Sequence, residues 1–435
     1  MRRTSSLDSK GTTSIRLIAT KARIAATTIE KMDKKFQRRL LPTTMKQKVG
    51  FTLGADWLLS LFLVSMLISP PARSAPRLQQ EKTPESELII GRSAPFSGLS
   101  AQTAKDYQDG ILAWFSEVNR NGGIHKRKLR LVSIDDNYKP ARTLANTHQL
   151  IHREKAIALI GFFGTPNSKL VIPLIEKVGI PFVAPVTGAR DILNPYRPMV
   201  FNLRASYQSE IDKIINHLVR DARHRIAIFH VTDAYGIDGL RSAKIALARH
   251  NLKPVLVSSL PRNSIDTYQV AQKIVKAKAN AVLSINTFAT SASLSRNLTS
   301  MGSRAQLMNL SPVGIEGLQD ALPGGRADGI GISQVFPFPW NRRVPVIAQY
   351  QEMMQRQKDN AHYGYTSLEG FLAARWLTAA LDKSGPNPSR EKLAEAFRKL
   401  GNLDLGGFKL HLKPGSNQAS QLVELTFLKS QRWGP

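Results

Sequence analysis

Gly164-Thr165-Pro166 is the run whose chemistry is clearest, because an apolar strand leads into it while a helix and a second apolar strand lead away, all within residues 158–193. Thr165 can cap the helix with its hydroxyl, and Pro166 suits the first helical position, where no amide donor is needed. The remaining N–H groups and the helix dipole then make an anion site that fits a carboxylate. Other strand ends carry the same mixture of small hydroxyls and rings: residues 94–98 with Ser97, 185–188 with Val186 and Thr187, 232–236 with Tyr235, 311–314 with Ser311, and 334–340 with Phe336. Such a mixture suits a pocket that orients a small organic molecule by a few hydrogen bonds against aromatic walls.

The elements that must hold these turns alternate along the chain. From Leu88 the pattern predicts a strand, a helix over 103–119, a strand over 128–136, a helix over 140–153 and a strand over 156–162. A second series begins near Tyr207, with strands at RIAIFHV, KPVLVSSL and AVLSINT and helices over 239–250 and 267–277. Strands apolar on both faces, such as IALIGF and IAIFHV, belong in parallel sheets covered by helices, so the expected class is α/β with two doubly wound lobes. In such sheets ligands bind beyond the carboxyl ends of the strands, where the distinctive turns lie.

Residues 57–69, WLLSLFLVSMLIS, form an unbroken apolar run of signal-peptide length, with Lys46 and Lys48 before it and a small-residue cleavage point before Ala75. Residues 45–74 are therefore expected to be a signal peptide and 75–86 a tether, which places the protein in the periplasm, or on the membrane if the signal stays uncleaved. Residues 1–44 read either as an extension upstream of a true start at Met45 or as a cytoplasmic arm. Of the 61 Lys/Arg and 32 Asp/Glu, 14 and 4 precede residue 75, which leaves a net charge of +19. The basic residues are spread over every element without interleaved aromatics, which argues against nucleic acid as a partner. There is no cysteine, so thiol chemistry and thiolate metal sites are excluded.

Laid out together, PFSG at 95–98, NGGIHKRKLRLVSIDDNYKP at 121–140, LIGFFGT at 159–165, GIPFVAPVTG at 179–188, DAYGIDGL at 233–240 and YTSLEGFLAARWL at 365–377 resemble the branched-chain amino-acid type of periplasmic substrate-binding protein, the receptor of an ABC importer. The resemblance implies a type I binding fold of two lobes joined by a three-crossing hinge, with lobe 1 at 87–206 and 337–404 and lobe 2 at 207–336 and 405–435. It implies a small-molecule ligand, permease subunits as membrane partners, no cofactor and no catalysis. It places ligand contacts at Thr165, Val186, Thr187 and Tyr235, and the strand-end turns add Ser97, Phe163, Tyr207, Ser311 and Phe336 to the expected ligand-binding set. Where amino-acid-binding members set a carboxylate against the ligand ammonium, this sequence has Asn309-Leu310-Ser311-Pro312. A buried ammonium without a charged partner is costly, which favours a carboxylate or a neutral aromatic or amphipathic ligand.

His148 and His152 stand at the i, i+4 spacing that can share a metal, but no third ligand is legible, and Asp135-Asp136 lacks calcium-loop spacing. No nucleophile elbow, zinc helix or phosphate loop is present in the sequence either. The rival to an importer receptor is a sensing receptor of the same fold that docks a signalling protein.

Overall fold

The computed structural model describes residues 87–324, 327–357 and 361–429; the expected signal peptide and tether lie outside them. No helix among the described residues is long and apolar enough to cross a membrane. Five strands, β1 (Leu88–Ala94), β2 (Leu129–Asp135), β3 (Ala158–Ile160), β4 (Phe182–Val183) and β5 (Val200–Phe201), form one sheet in the order β2-β1-β3-β4-β5. All four pairings are parallel. The connecting helices are α1 (Ala101–Arg120), α2 (Pro140–His152), α3 (Thr165–Val178) and the short α4 (Arg190–Leu193).

The chain then crosses into α5 (Tyr207–Arg220), β6 (Ile226–Val231), α6 (Ala234–Ala248), β7 (Leu256–Leu260), α7 (Tyr268–Lys276), β8 (Ala281–Ile285), α8 (Phe288–Ser300), β9 (Gln306–Asn309), α9 (Ile315–Ala321) and β10 (Gly331–Gln334). These strands form a second sheet, β13-β10-β9-β8-β6-β7, parallel except where β13 (Glu424–Phe427) runs against β10. Between β10 and β13 the chain returns to the first sheet as α10 (Pro345–Gln357), α11 (Tyr365–Lys383), α12 (Arg390–Leu400), β11 (Asn402–Asp404) and β12 (Lys409–His411). It therefore passes between the two sheets three times.

The apolar faces explain this arrangement. β6 is buried along its whole length, as a strand covered by helices on both faces must be. α11 closes on α1, where Trp114 donates to Thr378 Oγ1 at 2.7 Å and sets its ring edge-on to Phe371 at 5.5 Å. Two expectations differ from the structure. The helix expected from residue 239 starts at Ala234, because the Asp233 carboxylate accepts the N–H groups of Tyr235 and Gly236 at 3.0 and 3.3 Å and caps an earlier turn. Residues 405–420, expected with the second lobe, attach to the first: β12 pairs with β11, and Asn202 beyond β5 bonds to the backbone of Asn417 and Ala419 at 2.7 and 2.8 Å. An open sheet edge needs such a cover for its backbone groups; only β13 joins the second sheet.

Candidate functional site

The carboxyl ends of both sheets face one cleft, lined by Ser100, Thr103, Tyr138, Phe163, Gly164, Thr165 and Val186 on one side, Tyr207 where the chain has just crossed, and Tyr235, Arg262, Asn286, Thr287, Phe288, Pro312 and Val313 on the other. Its first wall is built by the acid pair that ends β2. Asp135 accepts the N–H groups of Phe96, Ser97 and Asn137 at 2.8, 3.1 and 3.0 Å and the Ser97 hydroxyl at 2.6 Å. Burial acts to raise its pKa, but these hydrogen bonds prevail and hold the carboxyl below its ordinary value. Asp136 accepts from Ser93, Thr143 and the Tyr138 N–H at 2.9 Å each, and there burial prevails and raises the pKa. The pair is thus a backbone clamp. It holds Asn137 and Tyr138 at φ 47° and 55°, the left-handed region that bulky residues rarely occupy. Tyr138 is thereby laid over Gly164, with its ring edge-on to Phe163 at 6.1 Å.

Gly164, at φ 95° and ψ 149°, is the N-cap of α3, which places Thr165 at the first helical position and Pro166 at the second. The expected hydroxyl cap by Thr165 is therefore corrected: glycine makes the turn, and the Thr165 hydroxyl points sideways to Thr187 Oγ1 at 2.8 Å. Thr187 also accepts the Ala189 N–H at 3.2 Å, and the Tyr207 phenol lies beside both threonines. Burial raises the Tyr207 pKa, so this hydroxyl cluster stays neutral.

The second wall carries Tyr235, edge-on to Tyr207 at 5.2 Å, and Arg262 from the loop after β7. Arg262 Nε donates to Asp233 at 2.6 Å, and its guanidinium lies 4.2 Å from the Tyr138 ring centre and 5.8 Å from that of Tyr235. Two further contacts join the walls: the Arg190 N–H donates to Asp238 at 3.3 Å, and Arg241 reaches Asp191 at 3.3 Å.

Of the residues singled out in the sequence, Phe163, Thr165, Val186, Tyr207 and Tyr235 line the cleft together. Thr187 lies directly behind Thr165. Ser97 is taken up by Asp135, Phe336 is buried between Arg204 and Phe408, and Ser311 gives its N–H to Glu210 at 2.8 Å while its neighbours Pro312 and Val313 reach the cleft. Tyr138 and Arg262 were missed, since a left-handed turn and a loop arginine carry no periodic signal.

Glu210 was also missed. It lies in the first turn of α5, fully buried, and accepts Ser311 N and Ser333 Oγ at 2.8 and 2.6 Å. The readable sign was a glutamate on the stripe formed by Tyr207, Ile211, Ile214 and Leu218. Beside it, Arg204 of the first crossing bonds Glu369 of α11 at 3.1 Å. Burial raises the Glu369 pKa to about 7; the charge of Glu210 adds to that, and Arg204 opposes it. His148 and His152 stack with ring centres 5.8 Å apart, and no group of three metal-ligating side chains occurs among the described residues.

A family model described as periplasmic binding protein matches residues 87–431. An amino acid binding protein of Pseudomonas aeruginosa is 25% identical over 297 residues, covering 66% of this chain and 78% of its own. Leu/Ile/Val-binding protein homolog 7 of Brucella abortus is 26% identical over 226 residues, 49% of this chain and 55% of its own. Among solved structures, a possible leucine/isoleucine/valine-binding protein from Rhodopirellula baltica superposes with a TM-score of 0.76 at 29% identity, covering 80% of this chain and 95% of the other. A substrate-binding periplasmic protein from Ralstonia solanacearum gives 0.75 at 29% identity, covering 79% and 98%.

Proposed function

The chain belongs to the periplasmic binding protein family, an extracytoplasmic family of solute receptors without catalytic activity, and from that premise we propose that it captures a small organic carboxylate with an apolar or aromatic body and delivers it to an ABC permease. The observation that carries the ligand class is the make-up of the cleft: tyrosine and phenylalanine walls, a neutral threonine–tyrosine cluster, and Arg262 as the one charged side chain among the described lining residues. The hydroxyls orient the carboxylate and the rings cover the body. The open form takes the ligand on the wall of Thr165 and Phe163; the wall of Tyr235 and Arg262 then closes, and ligand shifts that equilibrium by its greater affinity for the closed state.

A second reading, an α-amino acid, draws on the names of the relatives and on Glu210, whose Oε1 is buried without a hydrogen-bond partner close to Tyr207 and Tyr235. A thermal-shift series with benzoate, phenylacetate, hexanoate and leucine separates the two. A ligand at 100 times its Kd stabilises by about 2.7 kcal/mol. Shifts with the simple carboxylates are expected; a shift with leucine alone would replace the carboxylate reading by the amino-acid one.

A further inference from the structure

We propose that Arg262 is the specificity-determining residue of the second wall, contacting the ligand's anionic group and closing the cleft in the same act. The inference rests on the carboxylate reading above. Arg262 stands in the loop between β7 and α7, yet its guanidinium reaches across to stack at 4.2 Å on Tyr138, a residue of the opposite wall. Its side chain keeps 17% of its surface exposed, within the cleft lining. Asp233 takes Nε at 2.6 Å, and no protein group among the described residues bonds the two terminal nitrogens. A guanidinium offers five donors in a planar fork, so the fork edge that Asp233 leaves open can meet a carboxylate while the flat face lies on the ring. Burial of this pair away from bulk water strengthens both contacts.

The platform is built for that stack. The Asp135-Asp136 clamp fixes Tyr138 in its left-handed conformation, and Gly164 leaves room for the ring at a point where a Cβ would lie 2.5 Å from it. Strained backbone of this kind persists where the surroundings over-determine it, commonly at binding sites. A ligand carboxylate then joins the hydroxyl cluster and the Tyr138 ring of one wall to the Arg262 fork of the other. A cationic ligand would meet Arg262 with like charge and be refused, which is how one residue discriminates by repulsion as well as attraction.

The test compares the full-length protein with Arg262→Met and Arg262→Lys, using benzoate, phenylacetate and hexanoate as carboxylate probes and benzamide as a neutral analogue of the first. Wild type is expected to shift in melting temperature with at least one carboxylate. Arg262→Met should bind that carboxylate at least tenfold more weakly, the loss of about one charge-assisted hydrogen bond, while benzamide affinity stays within about twofold. Arg262→Lys, which keeps charge but not the planar fork, should fall between the two. Equal weakening of benzoate and benzamide would reduce Arg262 to a structural prop, and unchanged carboxylate affinity in Arg262→Met would overturn the inference while leaving the carboxylate reading intact. Wild type silent to all three carboxylates would overturn both.

Discussion

Replacing Glu369 by Gln tests how the hinge carries its buried charge. Arg204 and Glu369 are each 4% exposed and bonded at 3.1 Å, and Glu210 brings a second buried carboxylate near the same guanidinium. Two acids therefore share Arg204, and Arg92 adds a smaller pull on Glu369. Burial first, and then the repulsion of Glu210 against the opposing pull of Arg204, take the Glu369 pKa from 4.5 to about 7. A folded pKa above the unfolded one means that the native state keeps a proton which the unfolded chain has released, so this contribution to stability is whole below about pH 4.5 and is lost as pH rises through about 7. A separation of about 2.5 at 1.36 kcal/mol each amounts to about 3 kcal/mol, of which about 2–3 kcal/mol falls between pH 5 and pH 8. Glutamine mimics the protonated acid and does not titrate. Urea unfolding read by tryptophan emission at pH 5, 6, 7 and 8 should show Glu369→Gln gaining on wild type by that amount across the range. A difference independent of pH, or one that moves in favour of wild type as pH rises, would mean that Arg204 keeps Glu369 ionised and would refute the competition argued here.

Arg204→Met takes from both carboxylates the cation they share, with Arg92 left as a weaker one for Glu369, and a cost of about 3–5 kcal/mol in unfolding free energy at pH 8 is expected, shrinking at pH 5 as Glu369 takes up its proton. Thr165→Val removes the partner of Thr187; the unliganded protein should lose about 1–2 kcal/mol in urea unfolding and bind carboxylate more weakly in calorimetry. Gly164→Ala combines a backbone conformation near glycine's private region with a Cβ 2.5 Å from Tyr138, so calorimetry should find carboxylate binding lost through the displaced ring. Gly110→Ala would drive a Cβ to 1.9 Å from the Ser367 carbonyl where α1 and α11 cross, and should lower the melting temperature by the equivalent of at least about 1–3 kcal/mol.

What could be read in advance follows from what is periodic. The strand–helix alternation and the two-sided burial of β3 and β6 come from apolar runs, and these imposed two parallel sheets before any contact was known. The cleft was legible to the extent that topology decides it, because strand ends must open onto it: Phe163, Thr165, Val186 and Tyr235 sit three to five residues beyond a strand. Tyr207 was legible as the start of the second series. The rest depends on interactions that leave no spacing. Tyr138 reaches the site because two aspartates bend the chain into a conformation its own side chain disfavours, and Arg262 because a loop of the other lobe lays it on that ring. Ser97 shows the converse. It had the right type at the right strand end, yet Asp135 lay closer than any ligand and took its hydroxyl. Glu210, Arg204 and Glu369 were missed for a related reason. A glutamate on an apolar stripe is an exception to the rule that assigns the stripe, and only the tertiary meeting of Glu210, Arg204 and Glu369 gives that exception a cause: Glu210 accepts from Ser311 and Ser333, and Arg204 stands between it and Glu369, partners that no spacing along the chain announces.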